Sequence, residues 1–70
     1  MKKISVSLSG HQTSISLEQE FIDALRDIVH QEKTSVAAII ANIDKSRQID
    51  TNLSSAIRVY VLDYFRRVTA

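Results

Sequence analysis

Gln12-Thr13-Ser14-Ile15-Ser16-Leu17 alternates polar and apolar residues and passes without a linker into a helical pattern that begins at Glu18. A period of two places Thr13, Ile15 and Leu17 on one side of an extended strand and Gln12, Ser14 and Ser16 on the other. Such a strand leaves donors and acceptors open along both edges, so it needs a second strand. The partner is either another segment of the same chain or a second copy of it.

Upstream, Ile4, Val6 and Leu8 fall on even positions while Thr13, Ile15 and Leu17 fall on odd ones, so the alternation changes phase across Ser9-Gly10-His11. Gly10 is the only glycine, and a residue free to adopt positive φ is what a tight reversal needs. Residues 3–8 are therefore expected either to fold back as an extra N-terminal strand on 12–17 or to form a flexible arm.

Downstream, the apolar spacing becomes helical. Phe21, Leu25 and Ile28, flanked by Ile22 and Val29, predict a helix over 18–32, with Ser16 and Gln19 as a capping box and Glu18 and Glu20 in its first turn. Val36, Ile39, Ile40 and Ile43 predict a second helix over 35–47, capped by Thr34 or Ser35. A third, over 52–67, follows the capping candidates Asp50, Thr51 and Asn52. It carries Leu53, Ile57, Tyr60, Val61, Tyr64 and Val68 on one face and Val59, Leu62 and Phe65 on another. A helix that apolar asks to be covered on more than one side, and in a small chain a second copy is the simplest cover.

The composition narrows the class. The 70 residues form one domain, 1–70, small enough that a single core is marginal. With no cysteine and two histidines, His11 and His30, not spaced as a zinc site would be, neither disulfide nor metal staples it. Oligomerisation is the remaining route, and a homodimer is expected. No cofactor is implied, and no nucleophile, base and orienting group stand together as an enzyme would require. Lys2 and Lys3 precede an alternating segment rather than a continuous apolar run, so neither a signal peptide nor a membrane span is read and the cytoplasm is the expected location. The net charge is only +1, but it is unevenly spread. Residues 1–17 hold two lysines and no acid, whereas 18–32 hold Glu18, Glu20, Asp23, Asp27 and Glu32 against Arg26 alone.

A strand running straight into a helix, a short Lys33-Thr34-Ser35 connection and a second helix resembles the ribbon-helix-helix DNA-binding proteins. The segments Gly10-His11-Gln12-Thr13-Ser14-Ile15-Ser16-Leu17-Glu18 and Asn52-Leu53-Ser54-Ser55-Ala56-Ile57-Arg58-Val59 resemble a bacterial branch with a third helix. The resemblance implies a mainly α fold with a short β ribbon, in which two chains pair their strands antiparallel and lay the ribbon in the major groove of double-stranded DNA. It implies base contacts from Gln12, Ser14 and Ser16, although neutral Gln12 stands where the family would favour arginine. Gln reads adenine bidentately and Ser can serve several bases. The open N–H groups at the start of the second helix, around Lys33, Thr34, Ser35 and Val36, suit a phosphate. Ile15, Leu17, Phe21, Leu25, Ile39, Ile40, Ile43, Ile57 and Val61 are expected to form the dimer core. The function implied is transcription regulation.

Blander readings stand beside these. A serine-rich strand face is ordinarily solvated surface, and Asp23, Asp27 and His30 on one helical face are more simply a polar stripe than metal ligands. The same dimer could instead serve as a protein-interaction module, an adaptor or an antitoxin-like chain, holding a protein partner through its acidic first helix or the outer face of its third.

Overall fold

In the computed structural model, which describes residues 1–69, the order is β1 (Lys2–Leu8), β2 (His11–Leu17), α1 (Gln19–Glu32), α2 (Val36–Ser46) and α3 (Leu53–Thr69). The two strands form an antiparallel hairpin in register Ile4 with Ile15, Val6 with Thr13 and Leu8 with His11. The antiparallel neighbour of β2 is thus β1 of the same chain, and the expected strand at 3–8 exists, longer by one residue. Ser9 and Gly10 both take positive φ, 51° and 80°, which is the two-residue turn whose twist suits a hairpin. Its arithmetic accounts for the phase change. Partners across a two-residue loop have numbers of opposite parity, so even positions of β1 share a face with odd positions of β2.

That shared face holds Val6, Ile15 and Leu17, all buried, with Ile4, Leu8 and Thr13 half-buried beside them. Leu17, fully enclosed, is the last strand residue before the helix. Each aliphatic side chain so enclosed contributes about 1.5–3 kcal/mol. The core continues through Ile22, Leu25 and Ile28 of α1, Ile39, Ile40 and Ile43 of α2, and Ile57 and Val61 of α3. Every buried residue among those described is Val, Ile or Leu, so the hydrogen-bonding chemistry lies at the surface. Of the residues expected at the dimer core, all but half-buried Phe21 are enclosed within the single chain. The second apolar face of α3 is not covered, with Val59 and Leu62 exposed.

One local expectation is corrected. Ser16 does not cap α1, because the strand runs through Leu17 and holds Ser16 extended opposite Lys3. The N-cap is Glu18, whose carbonyl accepts from the N–H groups of Phe21 and Ile22 while its side chain makes no cap bond. Gln19 donates instead to Asp23 at 2.9 Å. The Glu18 carboxylate is taken by α3, where Arg58 donates to it from Nε at 3.0 Å and from a terminal nitrogen at 3.3 Å. At the other end of α1, the Tyr64 hydroxyl donates to Glu32 at 2.8 Å. These anchors are roughly 21 Å apart along α1 but only roughly 9 Å apart along α3. The long Arg and Tyr side chains span the difference.

The other caps follow the sequence. Ser35 Oγ accepts from the N–H of Ala38, Asn52 Oδ1 accepts from that of Ser55, and Arg47 bridges Asp44 to the carbonyl of Thr51. The last of these ties the end of α2 to the loop before α3. No helix among the described residues is long and apolar enough to cross a membrane.

Ser9→Asn, which suits left-handed backbone better, should stabilise the chain, and Gly10→Ala should destabilise it by about 1 kcal/mol through φ alone, since the added methyl would meet nothing within 4 Å. Urea midpoints test both. The Arg58 hydrogen bonds, reinforced by a backbone N–H, hold the Glu18 carboxyl below its ordinary value of 4.5. A depressed folded-state pKa stabilises above the unfolded value and is lost as pH falls through the folded one. The stability gap between the unsubstituted chain and Glu18→Gln should thus be constant at neutral pH and shrink below about pH 4.5.

Candidate nucleic-acid interface

The hairpin has a second face. The pleat that turns Val6, Ile15 and Leu17 inward turns Lys3, Ser5 and Ser7 of β1 and Gln12, Ser14 and Ser16 of β2 outward. The register sets them in rows of two, Ser7 beside Gln12, Ser5 beside Ser14 and Lys3 beside Ser16. All are exposed except half-buried Ser16, and the only side-chain bond recorded among them is a 3.3 Å donation from the Gln12 amide to Ser7 Oγ. Five neutral hydrogen-bonding side chains and a lysine, with no carboxylate, make a surface that can donate and accept toward a polar, anionic ligand. Since Ser16 is not spent on capping α1, its hydroxyl belongs to this face.

Sequence reading reached Gln12, Ser14 and Ser16 and passed over Lys3, Ser5 and Ser7. The missing piece was the register. Once the loop is two residues, the odd positions of β1, polar by their alternation with Ile4, Val6 and Leu8, share the outward face of β2, a pairing that the alternation of β1 alone does not specify.

The second candidate, Lys33 to Val36, lies at the junction of α1 and α2. Lys33 is the C-cap of α1 in left-handed conformation, φ 54°, its N–H donating to the Val29 carbonyl. Thr34 and Ser35 are exposed and Val36 half-buried. The Ser35 hydroxyl satisfies one N–H of the first turn of α2, and that turn carries no acid. The positive end of the helix dipole is therefore free of a carboxylate, unlike α1, which carries Glu20 in its first turn. Glu18, the acid that directly follows β2, is paired with Arg58 at 3.0 Å, which lessens the negative charge beside the outward face.

A strand hairpin leading directly into interlocked helices, with a polar outward face, is an architecture that a family comparison can test. Residues 1–65 match the family described as "Ribbon-helix-helix domain". The chain belongs to that family. No curated protein and no solved structure matches it. Ribbon-helix-helix domains generally bind DNA as dimers in transcription regulation and are regulatory modules rather than enzymes.

In this ribbon-helix-helix domain Lys33 closes α1 through its left-handed backbone, and that backbone contribution can be separated from its charge. Lys33→Gly should relieve left-handed strain and stabilise the fold by about 1 kcal/mol, whereas Lys33→Ala should not. Thermal unfolding of the two variants reads the difference, and both lose the charge equally.

Proposed function

We propose that this chain is a sequence-specific DNA-binding homodimer that regulates transcription in a bacterial cytoplasm, reading the major groove with the outward face of β2. The observation that carries the proposal is that face itself: Gln12, Ser14 and Ser16 in a row, exposed or half-buried, without an acid beside them. A major groove distinguishes all four base pairs to donors and acceptors of this kind and admits a two-stranded ribbon.

The dimer follows from the strand edges. A two-residue loop is closed by a pair that exchanges hydrogen bonds, Leu8 with His11, and the alternation of the ladder then turns the backbone groups of Gln12, Ser14 and Ser16 away from β1. That edge of β2 has no further strand on it, which is the condition for pairing with another chain. An antiparallel pairing that keeps outward residues outward and uses all of His11–Leu17 puts Ser14 on the two-fold axis and Gln12 beside the Ser16 of the second copy. The two-fold then asks for an inverted repeat in the DNA. The N-terminus of α2, with Lys33, supplies phosphate contacts that set register.

A second reading has its own observation. Val59 and Leu62 on α3 are 57% and 55% exposed, and with Phe21, Phe65 and the stem of Arg58 they line an almost wholly apolar groove. An adaptor or antitoxin-like module would hold a protein partner there, with weak DNA binding or none.

Selection of bound duplexes from a random pool, at moderate and at higher salt, separates the two. DNA binding predicts an enriched inverted repeat, a changed preference for Gln12→Ala and Ser14→Ala, and uniformly weaker, less salt-dependent binding for Lys33→Ala. Salt-sensitive background without enrichment would favour the protein-partner reading.

A further inference from the structure

Given the ribbon dimer proposed above, on which this rests, we infer that β1 remains in place as a flanking strand and that its outward side chains, Lys3, Ser5 and Ser7, grip the phosphate backbones on either side of the groove. The first ground is that β1 is built into the domain. Val6 is buried, Ile4 and Leu8 pack against the same core, and β1 rests on α2. A detached arm would expose all three aliphatic side chains. Pairing through the free edge of β2 therefore yields a four-stranded sheet in the order β1, β2, β2, β1, not a bare two-stranded ribbon.

The second ground is width. Strands lie about 4.8 Å apart, so the outer strand axes of such a sheet are about 14 Å apart, whereas the major groove is about 12 Å wide. The central pair fits within the groove and the flanks ride over its phosphate ridges. The side chains match that division. The outward residues of β2 include an amide suited to base edges, while those of β1 are two hydroxyls and an ammonium, the groups that commonly meet phosphate oxygens. Lys3 sits beside Ser16, two positions along the ladder from Ser14, and Ser5 sits beside Ser14. Each backbone would thus meet one lysine and a pair of serines from one protomer. Lys2, adjacent in sequence, belongs to the opposite face, opposite Leu17.

This adjacency provides the test. Binding of the full chain to its selected duplex and to an unrelated one is measured across a salt series for Lys3→Ala, Lys2→Ala and Ser5→Glu, with circular dichroism and sedimentation verifying fold and dimer. Lys3→Ala should flatten the salt dependence by about 0.9 for each lost contact, close to 2 for the two copies in a dimer, with the preferred sequence unchanged. Lys2→Ala should follow the unsubstituted protein. Ser5→Glu, placing a carboxylate against phosphate, should weaken both duplexes about tenfold or more. Equal slopes for the two lysine variants, or a shift in base preference on changing Lys3, would overturn the flanking role while the unsubstituted protein still selects an inverted repeat. Absence of any selected sequence would instead defeat the ribbon reading, and the flanking role with it.

Discussion

The two-residue reversal at Ser9-Gly10 is the constraint on which the rest of the molecule depends. Two successive positive φ angles close the loop, and the closure makes partner numbers sum to an odd value, so every residue of β1 and β2 is assigned to one face or the other. Val6, Ile15 and Leu17 go inward to meet the aliphatic faces of three helices. Lys3, Ser5, Ser7, Gln12, Ser14 and Ser16 go outward together. A loop one residue longer or shorter without a compensating bulge would turn one strand's apolar set toward solvent. Core and candidate interface are thus consequences of the same register.

Leu17 and Glu18 transmit that register to the helices. Leu17 is wholly enclosed, and the next residue is already the N-cap of α1, so no linker exists in which strand and helix could rotate relative to one another. Glu18 then spends its carboxylate on Arg58 rather than on its own helix. In effect α1 gives up a local cap for an attachment to α3 forty residues later in the chain. Glu32 with Tyr64 makes a second attachment at the far end of α1. Arg58 lies 5.9 Å from the centre of the Phe21 ring, so the same guanidinium also covers the edge of the apolar groove.

The helices were legible because their signals are local. Ser35 and Asn52 cap where an acceptor side chain precedes an apolar run, and the spacing of Val36, Ile39, Ile40 and Ile43 marks a buried stripe in α2. Ser16 was misread for an equally physical reason. The capping-box pattern is satisfied by residue types alone, but the strand that held Ser16 extended was anchored by pairing with β1, a contact that no window around Ser16 contains. The apolar signal at Ile15, Leu25 and Ile57 is likewise local. Hydropathy identifies them as buried without saying which chain covers them.

Alternation, helical spacing, the lone glycine and the capping residues, all properties of neighbours in the chain, determined the element order and the apolar side of each element. They also marked the outward residues of β2. Only the tertiary structure decided that β1 is the strand beside β2, that Lys3, Ser5 and Ser7 join the outward face of β2, that Glu18 is paired with Arg58, and that Val59 and Leu62 of α3 stay uncovered within the chain. Each of these depends on a pairing between distant segments, and such pairings arise from the combined packing of all five elements rather than from any one of them.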